Sequence, residues 1–438
     1  MRLETSPFLF IGLLATSCTA HPESSGWGGN CNSWPYTPFY SSGVEIYDCR
    51  GQEVHYAGVN WPGCLHPMVP EGLQYASADE IAEKIASLGM NVIRLGWATQ
   101  MIDEIYEKGH DTDLRTTFVD SLGEEAGEQV YQEVLKHNPD FTPQTTRLET
   151  FDAVAAACAK HNIMIHLDNH QVEAGWCCNS TDGNGWFGYG YFNVDNWIRG
   201  LEYMAKYASR WPNLVSFDLY NELRNTTDPV SYDYGWQTWY ENIIPAAQTV
   251  YNANPNVLIF FLGLNYDLDI VPLVTGQDLG GGDYFDVDQY DFKDRMVYEL
   301  HNYEQDQAVP SCPVYDTELF GDGWYDMNPH NDTNVKNRLP IVMTEWGFAP
   351  DTYTSLYAQC LKGFLENYGV GWTMWDVCGS YYIRDGVLNF DETWGDSWRL
   401  INAAPWTGLL NANWTGWRNE SAIQNYYIPL VQATLAGH

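Results

Sequence analysis

Positive charge is scarce in this sequence: 21 Lys and Arg stand against 57 Asp and Glu, a formal charge of −36. That balance excludes nucleic acid and anionic membrane surfaces as partners, because both are bound through clustered cations. It fits a neutral or cationic ligand. Long apolar runs are also lacking. Phe8 to Ala15 is too short to span a bilayer, and nothing later approaches twenty apolar residues. Zinc spacing of His and Cys is absent, and Cys177 and Cys178 are adjacent rather than two residues apart. A Ser nucleophile elbow and a glycine-rich phosphate loop are missing too. Asp182-x-Asn184 and Asp286-x-Asp288 begin like calcium loops, but neither completes a ligand set. No metal or cofactor is therefore expected. Without low-complexity linkers or internal repeats, the 438 residues read as a leader followed by one domain over 21–438.

Residues 1–20 have the form of a secretory signal: Arg2, then the apolar stretch, then Cys18-Thr19-Ala20 with small residues before a cut near Ala20–His21. Five Asn-x-Ser/Thr sites follow, at Asn179, Asn225, Asn331, Asn413 and Asn419. Together they predict a secreted, extracellular glycoprotein, and a monomer is the plain expectation. Of ten cysteines, nine lie beyond the leader, so at least one thiol stays unpaired within the chain. Cys31 and Cys49 can staple the amino-terminal segment. Cys158, in the apolar run 151–158, reads as a buried thiol. The remaining connectivity is open.

Eight short runs rich in β-branched and aromatic residues recur at 54–61, 91–97, 163–170, 215–222, 258–265, 296–303, 341–348 and 371–377. Helical patterns lie between many of them, at 77–88, 149–161, 194–209, 235–253 and 353–367. In the first, Ser77 can cap the helix, with Ile81, Ile85 and Leu88 on one face. Eight strands alternating with helices predict a (β/α)8 TIM barrel. The intervals 101–148 and 304–338 exceed a connection and are read as long loops at the catalytic face. Residues 43–48 and 51–55 read as a hairpin closing the barrel floor, and a final helix over 420–435 packs outside.

At the carboxyl ends of those runs, where a barrel places its chemistry, stand Arg94, His170, Asn221-Glu222, His301-x-Tyr303, Glu345 and Trp375. Two carboxylates facing each other are the minimum equipment for cleaving a glycosidic bond. This ordered set resembles glycoside hydrolase family 5, the cellulase family of retaining β-glycosidases, over about residues 43–380. The segment Leu167 to Cys178 with Asp182-Gly-Asn-Gly185 is similar to a plant and fungal branch of it.

The resemblance implies that Glu222 is general acid and then base, and Glu345 the nucleophile. Arg94 and Tyr303 would keep Glu345 ionised, Asn221 would hold the sugar 2-hydroxyl with His170 on the same sugar, and His301 would lie near the acid. Trp375 would be a stacking floor. Trp61, Trp97 and Trp346 are read as structural or rim residues. The default substrate is a β-1,4-glucan cut internally. Mannan, β-1,6-glucan, galactan and exo action stay open, since loops set specificity. The alternative of another class is a catalytically silent carbohydrate-binding barrel. It would have no reason to keep both carboxylates with their Arg, His and Tyr escorts.

Overall fold

A computed structural model describes residues 31–227, 232–303, 309–327, 333–384, 387–388 and 406–437. The predicted leader, the Asn331 site and parts of the 304–338 interval lie outside the described residues. The eight runs read from the sequence are the eight strands of a closed barrel: β1 (Ala57–Pro62), β2 (Val92–Ala98), β3 (Met164–Gln171), β4 (Leu214–Asp218), β5 (Leu258–Phe261), β6 (Met296–Tyr303), β7 (Ile341–Gly347) and β8 (Gly371–Met374). Every neighbouring pair is parallel, and β8 pairs with β1 to close the ring. The strands are buried almost throughout, because helices cover their outer faces and the barrel interior is packed.

The helices form where the periodicity places them, at Ala78–Ser87, Arg147–Lys160, Val194–Ala208, Trp236–Ala253 and Leu356–Tyr368. Ser77 caps the first of these. Its hydroxyl accepts from the Glu80 N–H at 3.2 Å, and the Glu80 carboxylate accepts from the Ser77 N–H at 2.8 Å. A helical segment begins at Glu420 and runs to Ala436, through a π turn at Ile423–Tyr427. It is anchored by a 2.8 Å hydrogen bond from the Trp372 indole to Thr434.

The barrel interior is layered. At the floor, Phe39 and Ile46 plug the strand beginnings, packing with Val92, Met164, Val215, Leu258, Val297 and Val342. Ile46 belongs to the predicted hairpin and Phe39 precedes it; the hairpin is a short meander that starts earlier than expected, with Tyr40–Ser42 paired to Glu45–Tyr47 and Tyr47 bridging to Glu53. Above the floor, the Tyr56 phenol donates to the Ser216 hydroxyl at 3.0 Å, and His166 Nδ1 lies 2.9 Å from the same oxygen. The next layer is ionic and surrounds Arg94. The mouth lies above it.

Residues 101–148 depart from the expectation of a cleft loop. They are largely helical, with Thr99–Lys108, Leu114–Leu122 and Glu124–His137, and contribute nothing to the lining of the main cavity. The last two helices pack at Gly127, where a Cβ would lie 2.5 Å from the Phe118 carbonyl oxygen. Such close backbone approach is open only to glycine. In the 304–338 interval the described part holds a helix, Cys312–Asp322, tied to the neighbouring helix by a Cys312–Cys360 disulfide. Cys31 pairs with Cys49 as expected, and Cys158 is a buried free thiol, as are Cys64 and Cys378.

Candidate active site

A cavity of about 430 Å³ opens at the carboxyl ends of the strands. His170, Asn221, Glu222, His301, Tyr303, Glu345 and Trp375 all line it, and Arg94 lies directly beneath. The structure thus brings all eight residues singled out from the sequence to one place. Trp61, Trp97 and Trp346 are fully buried core residues.

Glu345, near the end of β7, accepts two hydrogen bonds of 2.7 Å: one from Arg94 Nη1 to Oε1 and one from the Tyr303 phenol to Oε2. A register shift between Leu300 and His301 in β6 sets His301 opposite Glu345, the kind of re-aiming a bulge performs. Burial, with the Glu345 and Glu222 charges adding to it, pushes the Tyr303 phenol well above its usual range, so it remains a proton donor.

Glu222 lies four residues beyond β4, with φ of 52°. A non-glycine residue in the left-handed region costs about 1–3 kcal/mol and persists only when its surroundings fix it. Two buried neighbours do so: the Glu222 N–H donates to Asp267 Oδ2 at 2.8 Å, and Arg224 Nη1 donates to the Glu222 carbonyl at 2.7 Å. His301 Nδ1 is 3.0 Å from Glu222 Oε1. Burial raises the Glu222 pKa above the ordinary carboxyl value, against the pull of Arg224, His170 and Arg94. A carboxylate oxygen of Glu222, a ring nitrogen of His301 and a carboxylate oxygen of Glu345 all lie within 4.8 Å of one another.

Arg94 is the hub beneath this pair. Its Nη1 reaches Asn60 as well as Glu345, and its Nη2 donates to Asp218 at 2.6 Å and Asn221 at 3.0 Å, with Asp168 3.1 Å away. Burial works against its charge, but Asp168, Asp218, Glu345 and Glu299 outweigh that and hold it protonated. His170 Nδ1 lies 2.7 Å from Asp168 Oδ2, and its ring stacks on Trp375 at 5.0 Å. A proton on that Nδ1 leaves Nε2 as acceptor. Burial lowers the pKa of both His170 and His301 to about 4, so both rings are neutral at the usual working pH.

Several residues of the site were missed in the sequence. Asp168, Asp218 and Glu299 sit inside strands, two residues before or after other inward-facing polar groups. Polar residues at every second position of an apolar run, as in His166, Asp168 and His170, are the signal that marks them. Arg224 and Asp267 carry no local signal, because their partners are brought to them by the fold. Asp182 serves as the partner of Arg224 at 2.5 Å, and Asp286 caps a short 3₁₀ turn. These roles account for both incomplete calcium-like sequences.

The buried acids carry a stability consequence. Burial raises Asp168 to about 6 and Asp218, Asp322, Asp326 and Asp376 to about 7. Unfolded aspartates titrate near about 3.9. Between these values the folded chain holds protons that the unfolded chain has released, so stability falls as pH rises. His170 and His301 act in the opposite sense, but only below about 6.5, the unfolded histidine value. The melting temperature is expected to be higher at pH 5 than at pH 8. A rise over that interval in a thermal scan would contradict the protonation pattern.

The chain matches the cellulase family, glycosyl hydrolase family 5, across residues 47–380. It is 31% identical over 370 residues to a glycosyl hydrolase 5 family protein of Chamaecyparis obtusa, covering 82% of this chain. The match spans 62% of that relative, less than two thirds of its length. Endoglucanase G of Acetivibrio thermocellus is 23% identical over 456 residues, covering 89% of this chain and 74% of its own. In architecture, an endocellulase of Pyrococcus horikoshii, in complex with cellotetraose, aligns with a TM-score of 0.60 at 17% identity, over 91% of this chain and 99% of that one. With eight parallel strands directing paired carboxylates into one mouth, and a family match over three quarters of its length, the chain belongs to glycosyl hydrolase family 5.

Proposed function

We propose that this chain is a secreted, monomeric enzyme that hydrolyses a β-linked glucan internally, with retention of configuration. One observation carries the mechanism: carboxylate oxygens of Glu222 and Glu345 approach within 4.8 Å, with His301 beside both. Retaining glycosidases need their carboxyls about 5–5.5 Å apart, whereas inverting ones leave room for a water at about 6.5–9.5 Å. In this reading Glu345 attacks the anomeric carbon while Glu222 protonates the departing glycosidic oxygen. A covalent glycosyl-enzyme forms, and Glu222, now a base, takes a proton from the water that releases it. The raised pKa of Glu222 suits an acid that must hold its proton until needed.

Asn221 holds the 2-hydroxyl of the sugar at the scissile bond, its carbonyl oxygen fixed by Arg94. His170 binds the same sugar, and Trp375, whose ring stacks with that of His170, is the stacking floor. Trp176, Tyr266, Tyr381 and Trp406 also line the cavity, a supply of rings suited to further sugar units. The endoglucanase names of two relatives favour a glucan cut internally over mannan or galactan, and β-1,4-glucan is the default linkage. Secretion is supported by the leader and the acceptor sites. In the Asn179 and Asn413 sites the Thr hydroxyl donates to the Asn side chain at 2.9 and 2.6 Å. Asn419, by contrast, caps a helix and donates to Asp351 at 2.7 Å, and is the poorer candidate for a glycan.

The test is incubation of the purified protein with a panel of β-1,4-glucan, mannan, β-1,6-glucan and galactan, with product sizes read by chromatography. A ladder of cello-oligosaccharides is expected. Monosaccharide alone would make the enzyme exo-acting, and release from another polymer would reassign the sugar while leaving the catalytic pair untouched.

A further inference from the structure

Cys177 and Cys178 are consecutive, are disulfide-paired, and line the catalytic cavity from a half-buried loop. Their sulfurs lie within 4.8 Å of a Glu222 carboxylate oxygen. They also flank the Asn221 amide, whose Nδ2 is 3.7 Å from Cys177 Sγ and 3.6 Å from Cys178 Sγ. The segment bearing them is pinned in place. Arg224 ties it down by donating to the Asn179 carbonyl at 3.2 Å and to Asp182 at 2.5 Å, while the same guanidinium holds the Glu222 carbonyl. On its other side, Asn184 accepts from the Glu173 N–H at 2.8 Å. One buried arginine thus fixes the general acid and the sulfur pair relative to each other.

We infer that the Cys177–Cys178 disulfide is a substrate-contacting surface of the sugar site, presenting two polarizable sulfurs to the C–H face of a pyranose and holding the Asn221 amide in its hydroxyl-binding orientation. A disulfide between neighbouring residues is compact, apolar and without N–H or O–H groups of its own. It therefore meets carbon-bound hydrogens well and leaves hydroxyls to Asn221 and Glu222. Two thiols in the same place would be separate rotamers with S–H groups free to turn towards the Asn221 amide or the ligand. The site is thus sensitive to the redox state of this pair. The inference rests on the cavity being the sugar site proposed above.

The experiment compares wild type with a Cys177→Ala/Cys178→Ala variant on the oligosaccharide that the panel identifies. It includes Glu345→Gln as the control for the cavity itself. The variant is expected to show KM raised about tenfold, about 1.4 kcal/mol of lost binding, with its melting temperature unchanged. Treating wild type with a water-soluble phosphine should raise KM likewise. That reagent breaks the S–S bond, each sulfur taking a proton while the phosphine takes oxygen from water. Reoxidation should restore the original value.

The phosphine also reaches Cys31–Cys49 and Cys312–Cys360, which the variant retains. An unshifted KM in the phosphine-treated variant therefore assigns the effect to the adjacent pair. Equal shifts in both proteins, or a variant with wild-type KM, overturn the inference while leaving the family chemistry intact. Loss of the cavity assignment would show separately, as turnover surviving Glu345→Gln. If the variant does not fold, the phosphine titration of wild type decides by mass mapping. The tryptic segment 161–199 contains no other cysteine, so KM must rise in step with its gain of two hydrogens. A rise out of step, or thiols there in the oxidised protein, sinks the idea.

Discussion

Glu345→Gln is expected to lower turnover about a million-fold, the scale on which removal of a covalent nucleophile acts. The amide has nearly the carboxylate's shape but cannot attack the anomeric carbon. It also turns one of its N–H groups towards Arg94 or Tyr303, both of which are donors, so a stability loss of about 1–3 kcal/mol accompanies it and the fold survives. Glu345→Gly makes the claim sharper. Azide added to that variant can occupy the vacated space and form a glycosyl azide of inverted anomeric configuration, because only one of the two displacements then occurs. Glu222→Gln should cost roughly a hundred- to ten-thousand-fold on natural substrates, the range for loss of a general acid. On an aryl glycoside whose phenol leaves without a proton, its first step should be nearly normal and a burst of phenol should appear. Near-wild-type turnover of polysaccharide in either glutamine variant would remove the pair from the mechanism.

The barrel and the rim of its site were legible in the sequence because both rest on local patterns. Short β-branched runs became all eight strands, and β6 matches at both ends. Strand ends were harder to read. Asn221 and Glu222 lie past Asp218, where β4 stops, and Trp375 lies one residue past β8. Apolar character continues there, but the chain has already turned, at Glu222 into the left-handed region. No residue type announces that turn, since it is imposed from outside by Asp267 and Arg224.

What lies under the site was hidden for a different reason. Asp168, Asp218 and Glu299 belong to three strands and become one cluster only when the barrel closes. The adjacent cysteines were read chiefly for what they could not be, a zinc ligand pair. Their place against Asn221 depends on a loop held by Arg224, a contact across more than forty residues of chain. The 101–148 interval is not a cleft loop, because its residues fold into helices that pack away from the mouth. The cleft wall comes instead from the segments carrying Trp176 to Cys178, Tyr266, Tyr381 and Trp406.

Arg94→Met should be the most damaging substitution outside the catalytic pair, and its pH dependence should show why. The side chain it replaces is fully buried and faces Glu345, Asp168, Asp218 and, at 3.9 Å, Glu299. Methionine fills most of the space but leaves those carboxyls without their cation, and breaking a buried ion pair from one side costs about 3–5 kcal/mol. The stranded acids can relieve this only by binding protons. Their folded pKa values, already raised by burial to about 6 for Asp168 and about 7 for Asp218, must then rise further above the unfolded value near about 3.9. The folded variant therefore holds more protons than wild type over neutral pH, and its deficit widens as pH increases. Denaturant titrations of both proteins at pH 5 and pH 8 measure this: the gap is expected to be small in acid and large at pH 8. A gap of equal size at both would mean that Arg94 acts through packing alone. Arg94→Lys separates charge from geometry. A single ammonium can neutralise the cluster and recover part of the stability, but it cannot reach Glu345 and Asn60 with one arm and Asp218 and Asn221 with the other. Its turnover should remain far below wild type even where its stability returns, because Glu345 and Asn221 are aligned by the same fork.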